Sequence, residues 1–327
     1  MIITAAEATR SLRSGEVIAV PTETVYGLAA DALNPSAIAK IFEVKNRPAD
    51  NPLICHFHSM QQVLDFVTKI PAATSTLMEH FSPGPISFML DLPENSPLKF
   101  AACGSAQVIA RIPDHPLFLE IIKNLGRPVA APSANTSGRV SPTSAEMVEK
   151  DLGEKIKGIV DGGTSRIGIE STIVDARSEN EIFILRPGAI GEKEIQKNFP
   201  GTKIISQKIS DQQTTPGTKY RHYAPATPIF QIENMESINN ETDVVLLVTQ
   251  EQFEQTSSDM KEKFGRQKIW LLPLGSMNDL NSLARNFYQN LAALDRLNVK
   301  KSFMLKTDWG DSSLGKALHD RLSRIIR

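Results

Sequence analysis

Six clusters of polar and charged side chains stand out in this chain, each placed where a short apolar run ends. The first is "PTETVYGLAADA", Pro21 to Ala32, directly after the apolar run Val17-Ile18-Ala19-Val20. Thr22, Glu23, Thr24 and Tyr26 crowd into five positions there, a load that a strand inside a sheet rarely carries. The second is "EVKNRPADNPLICH", with Lys45 and Arg47 at the end of a helical pattern and Pro48, Asp50, Asn51 and Pro52 forcing a turn. Cations there complement a helix dipole, and held over a stiff loop they also suit phosphate groups. The third is Arg111 in "ARIPDHP", at the exit of an apolar strand, where a forked guanidinium matches a carboxylate.

The fourth cluster, "APSANTSGRVSPT" over 131–143, brings Ser133, Asn135, Ser137, Ser141 and Thr143, with Gly138 allowing close approach. Such a loop is either a self-capped turn or a set of donors for an anion. The fifth is "IGIESTIVD", where Glu170, Ser171 and Thr172 meet a strand, and the sixth is Arg186 in "LRPG". Each has an ordinary structural account. Together they describe one crevice lined by hydroxyl groups and Lys/Arg, without a nucleophile–base pair. That inventory suits chemistry in which ATP and Mg²⁺ carry the reactivity while the protein positions and neutralises.

Competing motifs are weaker. "GDSSLGKA", Gly310 to Ala317, fits a phosphate-binding P-loop until Ala317, where a Ser or Thr should hold Mg²⁺. Gly and Ser before a helix are ordinary capping chemistry. No Gly-x-Ser-x-Gly elbow appears. His56 and His58 lack a third metal ligand nearby, and Cys55 and Cys103 read as reduced core thiols. A net charge of −1 argues against a polycation built around nucleic acid, although a local basic groove remains open. Arg10, Arg13 and Glu16 interrupt the N-terminal apolar pattern, which reads as a capped amphipathic helix and not a signal peptide. No apolar run approaches the roughly 18 residues of a membrane span, so the expectation is a cytoplasmic protein without a membrane partner.

The elements that must position these clusters alternate between strand and helix. Strands are expected at "EVIAV", "PLICHF", "ISFMLDL", "QVIARIP", "PVAAP", "STIVDA" and "IFILRPG", the last two as a hairpin. Helices are expected after Asn34, within 60–80, over 117–125 and from 144. Residues 1–205 thus form an α/β domain with a mixed sheet. Residues 206–225, polar and aperiodic, read as a linker. Residues 226–327 alternate again ("DVVLLV", "KIWLLPL", a helix over 278–296, "KSFML" and a closing helix) as a small Rossmann-like α/β unit.

"PTETVYGL", "KNRPADNPL", "SPGPISFML", "ARIPDHP", "APSANTSG", "ESTIVD" and "LRPG" occur in the order seen in the YrdC-like family. With "PGTKYRHYAP" and the trailing α/β unit, essentially the whole chain resembles the family's long, two-domain form. It departs at Phe81-Ser82, where a Trp is common, at Ile86-Ser87 and at Gln107, and no departure removes a charged ligand.

The resemblance implies a twisted mixed parallel/antiparallel sheet flanked by helices. It also implies condensation of L-threonine, bicarbonate and ATP (with Mg²⁺) to threonylcarbamoyl-adenylate and pyrophosphate, serving N6-threonylcarbamoyladenosine formation in tRNA through a downstream transfer machinery. By the same resemblance, threonine lies against Thr24, His56, Arg111, Ser133 and Ser171 or Thr172, with its carboxylate on Arg111. ATP lies against Lys45, Arg47, Asn51, Gln107, Asn135, Thr143 and Arg186, and Tyr223 of the linker closes over the nucleotide.

Two further readings compete: a double-stranded-RNA-binding module using Lys45, Arg47, Arg111, Arg139 and Arg186, and a carbamoyl-adenylate domain serving another acceptor. The cluster Lys219, Tyr220, Arg221, His222 and Tyr223 in an otherwise neutral stretch marks the linker as a lid. Lids of this kind shield labile intermediates from water. Deleting residues 207–327 is therefore expected to cripple adenylate formation, read as ATP-dependent pyrophosphate release; full activity of the truncated form would contradict the lid.

Overall fold

A computed structural model describes residues 1–178, 180–206, 224–238, 241–255, 269–297 and 299–327. The chain forms two compact units, Met1–Ser137 with Ser141–Tyr220, and Gly138–Val140 with Arg221–Arg327.

The first unit is built on a nine-stranded mixed sheet. Its strands are β1 (Ile18–Val20), β2 (Gly27–Asp31), β3 (Ile54–His56), β4 (Ile86–Asp91), β5 (Gln107–Arg111), β6 (Val129–Ala130), β7 (Thr172–Asp175), β8 (Glu181–Arg186) and β9 (Lys203–Ser206). They lie in the order β1-β2-β6-β3-β5-β4-β7-β8-β9. The pairs β3/β5, β4/β7 and β8/β9 are parallel, and the expected hairpin of β7 with β8 is antiparallel.

Strand β2 was not expected. The stretch from Pro21 reads as a loop at a strand's end, yet from Gly27 it returns antiparallel to β1. Gly, Leu, Ala, Ala and Asp carry little strand propensity, and burial on both faces erases the usual alternation. Gly27 is needed for proximity: a Cβ there would stand 3.1 Å from the Ala131 methyl group.

One face of the sheet carries the main core. Leu28, Cys55, Phe88, Val108 and Ala110 pack there with Ile38 and Ile41 of α2 (Pro35–Lys45), Leu77 of α4 (Ala72–Phe81) and Val148 of α6 (Ala145–Leu152). The opposite face is only half covered. Over β1, β2 and β6 it packs on Leu12 of α1 (Ala5–Arg13) and on Phe118, Ile121 and Ile122 of α5 (Pro116–Leu125). Further along, the described residues give it only a small apolar cluster, Ile54, Met89, Ile109, Ile173 and Leu185. Polar strand ends gather next to that cluster.

The second unit has four parallel strands, β10 (Ile229–Ile232), β11 (Val244–Val248), β12 (Ile269–Pro273) and β13 (Ser302–Leu305), in the order β10-β13-β11-β12. Its long helix, α8, spans Leu280–Leu294, and α9 (Ser313–Ile325) closes the chain. At the start of α9 the P-loop-like motif is a cap: Ser312 Oγ accepts the Gly315 N–H at 3.1 Å. A Cβ on Gly315 would meet the Trp309 carbonyl oxygen at 2.0 Å, so this glycine serves close packing.

Gly315→Ala should therefore destabilise this unit by about 1–3 kcal/mol and Ser312→Ala by about 1 kcal/mol. Both tryptophans, Trp270 and Trp309, lie in this unit, so urea denaturation followed by tryptophan fluorescence reports on it. An unchanged midpoint in both variants would contradict the capping role.

Candidate active site

Register along the half-covered face brings the clusters together. His56 of β3 pairs with Arg111 of β5. The antiparallel ladder that joins Phe88 to Ala110 sets Ser87 beside Arg111, and Ser87 pairs in turn with Ile173 of β7. Partners across a ladder share a face, so His56, Arg111 and Ser87 form a polar row one step from the apolar row Ile54, Ile109 and Met89.

Arg111 is the centre of that row and is only 4% exposed. Its Nη2 lies 2.8 Å from Glu23 Oε1 and donates to Thr24 Oγ1 at 3.0 Å, while Nε points at the Gly84 carbonyl at 3.4 Å. The Glu23 contact is an ion pair without an aligned hydrogen bond, and Glu23 Oε2 has no hydrogen-bond partner among the described residues. Thr24 Oγ1 also bonds Thr22 Oγ1 at 2.8 Å. In the sequence alone Glu23 fits a ligand contact and a loop brace equally. What separates the two is its side-chain register against Arg111, which only the fold supplies.

The second arginine reaches the same face by a bulge. Val174 pairs with Ile184 but Ile173 pairs with Arg186, so Leu185 is the extra residue. Bulges re-aim side chains, and here Arg186 Nη2 donates to Ser171 Oγ and Nε to the Ser171 carbonyl, both at 3.0 Å. Ser171 Oγ completes a 2.8 Å hydrogen bond with Ser87 Oγ. Alternation along the chain decides between Ser171 and Thr172. Thr172 pairs with core residue Ile86, and its hydroxyl donates to the Ile190 carbonyl at 2.6 Å. Thr172 therefore faces away from the polar row, and Ser171 faces into it. Ser87, met in the sequence only as a departure from the family pattern, joins the site.

The loop 131–143 folds along β2 and is fastened by buried Lys45. Lys45 Nζ donates to the carbonyls of Ser133 and Asn135, each at 2.5 Å. Burial, with Arg47 as the second cause, pulls the Lys45 pKa well below the ordinary lysine value. Arg47 braces its own turn, donating from Nε to the Asn51 carbonyl at 3.0 Å and from Nη2 to the Pro52 carbonyl at 2.8 Å. The Asn51 side chain is buried with neither of its polar atoms bonded among the described residues, so both are open to a polar ligand. Thr143 is fully buried and donates to Met147 Sδ at 3.6 Å, and Ser141 donates to Glu170 Oε1 at 2.6 Å.

Gln107 stands at the far end of β5, four residues and about 13 Å from Arg111 at strand rise. It lines a separate cleft of about 450 Å³ with Asp50, Pro52, Cys103 and Ser105, which links it to the Arg47–Asn51 turn. Tyr223, and with it the lid, lies outside the described residues.

No thiol nucleophile is available at Cys55, whose pKa burial pushes up to about 12. His56 is fully buried against Phe118, with ring centroids 5.3 Å apart, and its Nδ1 has no hydrogen-bond partner among the described residues. Burial, then the neighbouring Arg111 charge, holds its pKa well below 6.5. The site is therefore two buried guanidinium groups, a neutral imidazole, a carboxylate and several hydroxyls. It is suited to holding anions and does not supply a nucleophile.

Residues 10–188 match the Sua5_yciO_yrdC family model, described as telomere recombination, and residues 190–324 match the model of the threonylcarbamoyl-AMP synthase C-terminal domain. The chain belongs to the Sua5/YciO/YrdC family. Among its relatives, the threonylcarbamoyl-AMP synthase of Bacillus subtilis is 37% identical over 98% of this chain and 94% of that protein. The protein of the same name from Pyrococcus abyssi is 36% identical over 96% of this chain and 91% of its own length. The crystal structure of P. abyssi Sua5 complexed with L-threonine superposes with a TM-score of 0.81 at 33% identity, covering 98% of this chain and 93% of that one. The Sua5/YciO/YrdC match and the mixed sheet bear out the family and fold expected from the sequence.

The buried neutral histidine gives the family site a pH signature. A folded pKa below the unfolded value means that the unfolded chain alone takes up a proton as pH falls through 6.5, so stability is lost on acidification. The slope from one such group approaches 1.4 kcal/mol per pH unit. His56→Gln should flatten the stability–pH curve between pH 6.5 and 5 by about that slope in urea denaturation; an identical curve would show that His56 takes up a proton in the folded state too.

Proposed function

We propose that this chain is an L-threonylcarbamoyladenylate synthase, a nucleotidyltransferase that condenses L-threonine, bicarbonate and MgATP to threonylcarbamoyl-AMP and pyrophosphate. The observation that carries this reading is that relatives named threonylcarbamoyl-AMP synthase match both units along nearly the full chain. The geometry supports it. The reaction brings together a carbamate and a triphosphate, both anionic, and cations in a water-poor site lower that barrier more than a base would.

Arg111 receives the threonine carboxylate, with Thr24, His56, Ser133, Ser171 and Ser87 around the rest of the amino acid. The Lys45–Asn51 turn, the 131–143 loop and Arg186 receive the nucleotide, and the cleft at Gln107 continues from that turn. Mg²⁺ enters on the phosphate oxygens of ATP as part of the substrate. The product supplies tRNA threonylcarbamoylation in the cytoplasm.

Double-stranded RNA is not favoured. Of the five cations offered for phosphate contacts, Lys45, Arg111 and Arg186 are buried, out of reach of a duplex backbone, which leaves only half-buried Arg47 and exposed Arg139.

The test is pyrophosphate release from ATP and bicarbonate with and without L-threonine. Release should depend on L-threonine, and Arg111→Lys, which keeps charge but loses the fork, should raise the KM for threonine about 10- to 100-fold, the worth of a charged hydrogen bond. Release that is equal without threonine would overturn the assignment.

A further inference from the structure

Glu23 is 2% exposed, and its Oε2 meets no donor among the described residues. Buried carboxylates are almost always satisfied, so such an oxygen marks a place for a donor that is not part of the protein fold. Its neighbour shows the complementary gap. Arg111 commits Nη2 to Glu23 and Thr24 and points Nε at Gly84, but no hydrogen bond from Nη1 occurs among the described residues. One buried contact thus presents an open acceptor and an open N–H donor, Arg111 Nη1, on the same pair.

Resting on the synthase reading above, we infer that Glu23 and Arg111 form a two-charge receptor for an α-amino acid zwitterion, with Glu23 Oε2 taking the ammonium group and Arg111 Nη1 the carboxylate. An α-amino acid carries both charges on one carbon, so a receptor for it needs a cation and an anion in contact. The pair at 2.8 Å meets that condition. Desolvating the zwitterion leaves each charge matched, whereas Arg111 alone would leave the ammonium group buried and unpaired, a costly arrangement. The backbone keeps Glu23 in place: its carbonyl accepts from Ile167 N–H at 2.8 Å, and Thr24 accepts likewise from Gly168 N–H at 3.1 Å. The receptor is therefore preformed. If Glu23 only neutralised Arg111, the ligand's amino group would add nothing to affinity at this point.

The experiment is calorimetric titration of the full-length protein with L-threonine and with 3-hydroxybutanoate, which is threonine without its amino group. The wild type should bind L-threonine about 10- to 100-fold more tightly than 3-hydroxybutanoate. Glu23→Gln should remove that advantage, weakening L-threonine by the same factor and leaving 3-hydroxybutanoate unchanged or tighter. Equal wild-type affinities, or an equal loss of both ligands in a Glu23→Gln variant whose melting curve shows it folded, would overturn the inference. The wild-type comparison decides even if the variant does not fold. If equal affinities accompany threonine-dependent pyrophosphate release, only the Glu23 role falls; if the wild type neither binds threonine nor uses it in release, the synthase reading falls as well.

Discussion

Arg111 cannot be buried alone. A guanidinium withdrawn from water costs several kcal/mol unless its charge and its donors are met, and losing one partner of such a pair typically costs 3–5 kcal/mol. Two separate segments meet it here: the Pro21–Tyr26 loop through Glu23 and Thr24, and the turn at Gly84. That requirement fixes the loop against the sheet. The loop in turn anchors two others, since Tyr26 N–H donates to the Pro142 carbonyl and the Glu23 and Thr24 carbonyls accept from Ile167 and Gly168. The pocket walls are thus held by hydrogen bonds that radiate from one charge.

The sheet explains why the other groups arrive. A mixed sheet puts strand ends of both directions on one edge of a face, so Arg111 leaves β5 where His56 leaves β3 and where Ser87 opens β4. A single extra residue, Leu185, shifts Arg186 onto that face beside Ser171. Buried Lys45 then holds the 131–143 loop by two carbonyls. Charges that look ready for ligand when read one by one are partly used to build the cavity, a common arrangement where a site must be rigid before substrate arrives.

Much of this was legible in the sequence. Apolar runs and caps located most strands and helices, such as the Asn34 cap of α2 and the Ser144 cap of α6. Polar residues at strand ends marked the side chains that the fold brings together around Arg111 and Arg186. The rest needed three dimensions. Gly27–Asp31 hides as a strand because small residues buried on both faces show no period. Ser171 and Thr172 are chemically alike, and only pairing tells which faces the arginines. Ser87 carries no signal until Ser171 stands opposite it, and Glu23 gains meaning only from Arg111. Conversely, "GDSSLGKA" looks like a nucleotide motif in isolation and proves to be a helix cap under Trp309.

Two buried arginines, a buried lysine and a carboxylate oxygen without a hydrogen-bond partner among the described residues suit the assembly of charged reactants. The most direct measurement is mass spectrometry of the product formed from ATP, L-threonine and ¹³C-bicarbonate. The product should be a nucleotide in which AMP, one labelled carbonyl carbon and threonine are joined. Unlabelled adenylate carrying threonine alone, or AMP and pyrophosphate without any threonine adduct even on rapid quenching, would contradict it.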